Sequence, residues 1–557
     1  MLGGGLQLAL IPAPLVAAAI VVFALGPRQA LAARIIAGIG IAATIALMAV
    51  ETAFLNGTGG IETSLGTPVT GITYLLRLDL PGATLGLAAA SAGLVLLLDA
   101  DRRTREVSAL LVCVAGTTLA ALAGNMVMLA GGVEIAGVGT LLMTSAARGR
   151  PGRGGLVAIG IEHLASLGLV VAAVQLLSVA GTTDFAVIPS DAMVATVAGP
   201  WAVAGVMRLL APAVVPVRGS RTPTAAWATT SAIPCGAIVL LRLRQVAAGP
   251  FPEQIAIGLA VAGGLAAVVA VAVALRHASV PVVAGRAFCI SAAAPVIALT
   301  GISGAGAGTA IAAGICAVML VTALTPAWEH VGRGRSGRVL AAFALGAAGS
   351  LPVGFGITAL ILELSAIVSI GRPGAALLAA IGVAGLLGAA AAVRAAARVL
   401  TPVIGIARER PVSMLALLAA VLSVAAALVP GTIATSLLTA LDSGGVTEPL
   451  GVGAIRTDAG DWSGGYIVVA FLIVVAGVWA FATLAEWSLA SLRSPRDEPA
   501  PDRPRLAGLA VARMLRPPAM RANAWLRQVD DWLQVQPQLV VVFGGAVLGL
   551  VLTQFIH

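Results

Sequence analysis

Apolar runs long enough to cross a bilayer recur from one end of this chain to the other, and they leave few folds open to it. A helix needs ~20 predominantly apolar residues to span the hydrocarbon core. Such runs lie near 6–25, 34–54, 82–99, 106–123, 125–146, 155–180, 192–212, 224–242, 253–275, 280–300, 305–326, 339–371, 374–393, 411–430, 465–485 and 537–555. They predict an all-α, polytopic membrane protein with about 14–16 transmembrane helices. Hydrophobic residues make up 59% of the chain and charged residues 10%, too little polar surface to coat a soluble globule. Aromatics are scarce at 4% while Gly and Ala abound, which suits helices packed closely through small-residue faces.

The chain contains no Lys, so every one of its 33 Lys-or-Arg positions is Arg. A net charge of +9 could point to nucleic acid, yet the arginines sit in short loops and no basic, aromatic-interleaved face is present. No nucleic-acid partner is expected. The arginines cluster instead in alternate loops: Arg28 and Arg34; Arg102, Arg103 and Arg105; Arg148, Arg150 and Arg153; Arg218 and Arg221; Arg276; Arg333, Arg335 and Arg338; Arg394, Arg398, Arg408 and Arg410. By the positive-inside rule those loops are cytoplasmic. The location implied is a bacterial inner membrane, multi-pass, with both termini extracytoplasmic. Arg77, Arg242, Arg372 and Arg456 are the main exceptions. Met1 leads into an apolar run without a basic n-region or cleavage site, which reads as a retained first helix.

Two spans are broken by their own residues. Pro352 stands among glycines within 339–371, a run too long for one straight crossing, and Arg208, Pro212 and Pro216 mark a similar interruption. Interruptions at corresponding places in two halves are the pattern of inverted repeats. The expected division is N-terminal transmembrane helices over 1–105, a first repeat over 106–245 and a second over 246–395. Further transmembrane helices over 396–486, a cytoplasmic linker with an amphipathic segment over 487–536 and a last helix over 537–557 follow. The segment 487–536 mixes Arg, Leu, Met and Trp, as a helix lying on the membrane surface would, and a soluble linker is the alternative.

Cys113, Cys235, Cys289 and Cys316 lie singly in apolar runs without CxxC spacing and read as packed core thiols. Neither a metal nor a cofactor is expected. No phosphate loop, nucleophile–base pair or haem motif is present, so redox chemistry would belong to partner subunits. Functional signal comes from titratable residues inside spans, because an ionised side chain at the membrane centre costs about 3 kcal/mol even on a lenient scale. These are Glu134, Glu162, His163, Arg208 and Glu363. In the plainer reading Glu134 and Arg208 neutralise one another as a buried pair, while Glu162 and His163 reach a membrane interface. In the other they form a proton or ion pathway, with Glu134 its leading member and next to Arg208 in space.

In order, YLLRLDLPGATLGL at 74–87, NMVMLAGGVEIAGVGTLLMTS at 125–145, GTTDF at 181–185, VAGVMRLLAPAVVPVRGSRTPTAAWATTSAIPCGAIVLLRL at 203–243 and GSLPVGFG at 349–356 resemble one family. It comprises the antiporter-like membrane subunits of respiratory complex I, multisubunit Mrp-type sodium/proton antiporters and energy-converting hydrogenases of the formate hydrogenlyase type. The resemblance implies two inverted repeats with broken helices, other membrane subunits and the lipid bilayer as partners, and proton movement through buried charges. It places Glu134 at the family's fifth-helix glutamate. The chain also departs from the pattern. The broken-helix lysine falls on Arg208 or on Met207, the basic position of the next helix falls near Pro234, and the second-half lysine is replaced around Thr358. Arg stays protonated near neutral pH and cannot relay protons itself. The resulting expectation is a translocase-type subunit without redox chemistry of its own. A non-conducting structural subunit and a standalone secondary transporter for an anionic solute are the alternatives.

Overall fold

The computed structural model describes residues 7–25, 29–55, 60–67, 72–98, 104–148, 153–214, 228–247, 251–276, 293–301, 448–451, 454–457 and 460–463. All belong to one compact unit, Met1–Ala485. Most of the second repeat, including the Pro352 interruption and Glu363, and the 487–536 segment lie outside the described residues.

Helices dominate, as the apolar runs require. The first run is divided into α1 (Gln7–Leu10) and α2 (Ala13–Ala24), because Pro12 has no N–H to continue α1, whereas Pro14 falls in the first turn of α2, where none is needed. Then come α3 (Ala30–Ala53), α4 (Leu80–Leu98), α5 (Thr104–Ala121), α6 (Met126–Arg148), α7 (Arg153–Ala180) and α8 (Ala195–Val214). A π-helical turn, Ala228–Ala232, runs into α9 (Ile233–Val246), and α10 follows at Glu253–Arg276. Among the described residues, α3, α5 and the apolar parts of α6 and α7 are by themselves long and apolar enough to cross a membrane.

Pro212 does not break α8, contrary to expectation. The helix continues through it to Val214. A proline this close to a helix end removes one hydrogen bond, the one otherwise accepted by the carbonyl of Arg208, without unwinding the rest. Two small sheets add to the expected helices. β1 (Ile61–Ser64) and β2 (Leu75–Leu78) form an antiparallel hairpin in which Glu62 stands opposite Arg77, while β3 (Glu448–Gly451), β4 (Ala454–Thr457) and β5 (Gly460–Ser463) form an antiparallel meander.

The β1–β2 hairpin marks one end of the bundle and is knitted into it. Arg77 N–H donates to the Leu122 carbonyl at 2.7 Å, Gly124 N–H to Leu75 at 2.9 Å, Met126 N–H to Thr183 at 3.0 Å and Phe185 N–H to Gly124 at 3.1 Å. Asn125 caps α6 by accepting from Met128 N–H at 2.8 Å, and its amide also donates to the Thr73 carbonyl. Gly181, at φ +69°, ends α7 in a left-handed turn that few other residues adopt cheaply. Since successive helices alternate in direction, Arg34, Arg105, Arg148, Arg153 and Arg276, at described helix ends, fall at the opposite end.

Small residues bring the helices together. A Cβ on Gly116 of α5 would collide with the backbone of Ala136 on α6, and one on Gly132 of α6 with the backbone of Ala120. Gly205 and Gly236 do the same for α8 and α9, where a Cβ on Gly236 would stand 2.7 Å from Leu209 N. Such contact suits a membrane interior, where packing rather than water exclusion holds helices. Trp201 of α8, fully buried, donates its indole N–H to the Val239 carbonyl of α9 at 3.0 Å and stacks on Phe185 at 5.5 Å. Toward the arginine-rich end Leu97, Leu110, Met143, Ala158 and Ala211 belong to one continuous apolar cluster.

Candidate functional site

Helix α7 carries Glu162 and His163 side by side in sequence, and a helix turns by about 100° per residue, so the two side chains leave on different faces. Glu162 points into the bundle and is 1% exposed. Arg208 of α8, completely buried, meets it with Nη2 as an ion pair, and the same nitrogen donates to the Val133 carbonyl of α6 at 2.9 Å. Three helices thus close around one pair of opposite charges. Gly137, a turn along α6 from Val133, faces the pair: a Cβ there would stand 3.7 Å from Arg208 Nη2 and from Glu162 Cβ, in ordinary van der Waals contact.

His163 points outward. Its Nδ1 lies 2.9 Å from Glu134 Oε1 of α6, and the two side chains are 46% and 43% exposed. The expected Glu134–Arg208 pair is therefore not formed. Arg208 is matched by Glu162, and Glu134 is matched by His163, because the face of α6 that meets Arg208 is that of Val133 and Gly137, with Glu134 turned toward α7. Glu162 is likewise not a headgroup-reaching residue: it is among the most deeply buried charges described.

Polar side chains extend the buried pair. The Thr117 hydroxyl of α5 donates to the Thr230 carbonyl at 2.6 Å and lies 3.4 Å from Cys235 Sγ. Thr140 of α6 donates to the Ala136 carbonyl at 3.1 Å and stands 3.4 Å from Ser231 Oγ. Thr230 and Ser231 belong to the π-helical turn, which offers the Thr230 carbonyl to α5 and the Ser231 hydroxyl to α6. Ser166 bonds the Glu162 carbonyl at 3.1 Å. Cys113 and Cys235 are buried free thiols. Among the described residues, no three His, Cys, Asp or Glu side chains gather as a metal site would require.

A second buried pair was not anticipated. Arg242, near the end of α9, pairs through Nη1 with Asp79 Oδ2 and donates through Nη2 to the Ala121 carbonyl of α5 at 2.8 Å and through Nη1 to Gln245 Oε1 at 2.9 Å. Asp79 uses its other oxygen to cap α4, accepting from Gly82 N–H at 2.9 Å. Arg77 lies 3.6 Å from Asp79 and 3.1 Å from Glu62. Glu62, Arg77, Asp79 and Arg242 form a ladder of alternating charge running from the hairpin surface into the bundle. Its signal was present in the sequence: Arg77 and Arg242 defied the alternation of arginine-bearing loops, and an arginine out of place needs a counter-charge.

No family model matches this chain, and no curated protein matches it. Solved structures do. A chain of the Mrp complex from Dietzia sp. DQ12-45-1b superposes with a TM-score of 0.71 at 17% identity over 98% of this chain, which spans 63% of the length of that one. A chain of the membrane-bound sulfane sulfur reductase, an archaeal respiratory membrane complex, has a TM-score of 0.71 at 15% identity over 98% of this chain and 100% of its own. A chain of respiratory complex I from Thermus thermophilus has a TM-score of 0.59 at 18% identity over 79% of this chain and 100% of its own. At such identities the likeness establishes the fold, that of polytopic membrane subunits in these complexes.

Proposed function

We propose that this chain is an antiporter-like membrane subunit of a multisubunit respiratory, hydrogenase or antiporter complex, and that it translocates protons through its buried charges. The observation that carries the reading is the Glu162–Arg208 pair, enclosed by α6, α7 and α8 in a fold shared with subunits of such complexes. Two opposite charges buried this deeply are poorly explained as packing, since well-packed apolar side chains of the same size are often at least as stable.

An arginine side chain does not act as a proton donor near neutral pH, so the carboxyl of Glu162 is the member proposed to exchange a proton. A shift of α8 that draws the guanidinium away leaves a carboxylate without its counter-charge at membrane depth, and such a group binds a proton. Return of Arg208 expels it. His163 and Glu134, on the other side of α7, are the nearby acceptors that would carry the proton sideways. Their surroundings support a protein neighbour rather than lipid: the half-exposed pair lies among outward-facing Ile135, Val138, Leu142, Leu164 and Leu167. A charged pair on a lipid face at that depth is costly, whereas another membrane subunit can supply polar partners. The arginines at one end of the described helices, with the alternation of arginines along the sequence, support a plasma-membrane orientation with the hairpin and both termini extracytoplasmic.

Proton flux in proteoliposomes containing the assembled complex tests the reading. Glu162→Gln keeps the shape and an oxygen that accepts from Arg208 but removes the titrating group and the counter-charge, so the complex should be less stable and the fraction that assembles should have lost flux through this subunit. Wild-type, non-zero flux in an assembled Glu162→Gln complex would overturn the proposal. One observation favours a second reading, a non-conducting structural subunit: the basic partner of the buried carboxylate is an Arg, in a chain without Lys. On that reading the wild-type subunit adds no flux, and its removal only dismantles the complex.

A further inference from the structure

We infer that the face of α6 and α7 bearing Glu134 and His163 is the seat of a transmembrane helix from another subunit, one that carries an uncharged hydrogen-bonding side chain at mid-depth. The inference rests on the reading above for the existence of neighbouring subunits, and specifies which face one of them covers and with what chemistry.

Depth sets this pair apart. Glu134 and His163 each lie within about one turn of the middle of their helices, half-exposed and 2.9 Å apart. At comparable depth the outward faces of α3 and α10 are apolar, with Ile39 and Leu47 on one and Val261 and Leu265 on the other. Lipid suits those faces and not this one, because hydrocarbon offers a half-exposed ion pair neither charge nor hydrogen bond. As an ion pair the two groups are neutral overall, so a third charge would bring back the cost that pairing removes. What they lack is hydrogen bonding. His163 spends Nδ1 on Glu134, and among the described residues nothing meets Nε2. A hydroxyl or an amide can donate or accept, and therefore satisfies that nitrogen in either protonation state of the imidazole.

Shape points the same way. Gly131 precedes Glu134 by three residues and Gly160 precedes His163 by three, so each glycine lies on its charged neighbour's face. Both glycines are exposed, and a Cβ on either would meet nothing within 4 Å. Because α6 and α7 run in opposite directions, the glycines flank the pair, Gly131 toward the hairpin end and Gly160 toward the arginine-rich end. They leave notches on either side of the charges where the backbone of another helix can come close, as small residues allow in membranes. Ile135, Leu164 and Leu167 rim the notches with exposed apolar surface. The chain's own last apolar run, 537–555, is a poor occupant, since its middle reads VVVFGGAVLGL and carries no side chain able to meet His163.

Two measurements on the assembled complex, purified through a tag on this chain, test the inference. Photoreactive benzoylphenylalanine in place of Leu164 or of Leu167 should cross-link to one other subunit, at a transmembrane segment whose middle carries Ser, Thr, Asn or Gln. Cross-links confined to lipid, to residues 537–557 or to a second copy of this chain would overturn it, as would a partner segment with a charged or wholly apolar middle. Gly131→Leu and Gly160→Leu fill the notches without touching the chain's own packing, so the isolated chain should keep its unfolding temperature in detergent. Recovery of the cross-linked subunit with the tagged chain should nevertheless fall by about tenfold or more, as one overpacked side chain in a close interface implies. Gly258→Leu and Gly264→Leu, equally open but on α10, should leave recovery unchanged. Wild-type recovery in both notch variants, or equal losses from the α10 variants, would also overturn the inference. Assembly is read without flux, so a chain that conducts no protons can pass this test and one that conducts them can fail it.

Discussion

Removing one member of the Glu162–Arg208 pair should be far more damaging than removing both. With 0% and 1% of their side chains exposed, neither partner can turn to solvent when the other is lost. Arg208→Met leaves a buried carboxylate and Glu162→Leu leaves a buried guanidinium, and each single change should destabilise the protein by about 3–5 kcal/mol. The hydrogen bond from Arg208 to the Val133 carbonyl adds only ~1 kcal/mol, because that carbonyl keeps its helical partner, so the orphaned charge dominates. Independent effects would sum to roughly 6–10 kcal/mol, whereas the double variant, with both charges replaced by apolar side chains of similar size, should fall within about 2 kcal/mol of wild type. Equilibrium unfolding of the purified chain in mixed micelles measures all four corners of the cycle. Additive losses, or singles costing under about 1 kcal/mol as a surface pair would, would show that the two groups do not neutralise one another and would refute the argument.

Two further outcomes follow from the packing. Gly116→Val places a side chain against the Ala136 backbone and should force α5 from α6, lowering stability by about 1–3 kcal/mol, with Ser108→Ala, outside that seam, as the milder comparison. Asn125→Ala should cost about 1 kcal/mol through loss of the α6 cap, and Asn125→Asp, which keeps the accepting oxygen, should recover most of it; thermal unfolding in detergent reads both.

The spans among the described residues were legible because a ~20-residue apolar run has few other uses, and the expected run at 155–180 lies within two residues of the observed Arg153–Ala180. Pairing was not legible, for a geometric reason. Sequence gives depth along a helix but not the direction a helix faces, so Glu134 could be placed mid-span while its partner could not. Glu162 and His163 illustrate this: adjacent in sequence and on different faces, one neutralises Arg208 inside and the other meets Glu134 outside. Asp79 and Arg242 are 163 residues apart, and nothing local to either names the other. The β1–β2 hairpin escaped notice because four-residue strands such as IETS carry too little alternation to stand out beside apolar helices.

The central claim is that Glu162 gains and loses a proton as the complex works, and infrared difference spectroscopy of the reconstituted complex under turnover addresses it directly. The account predicts a protonated-carboxyl C=O band that appears in wild type, vanishes in Glu162→Gln and survives Arg208→Gln in altered intensity. Turnover-linked proton flux in wild type without any carboxyl band that depends on Glu162 would contradict it.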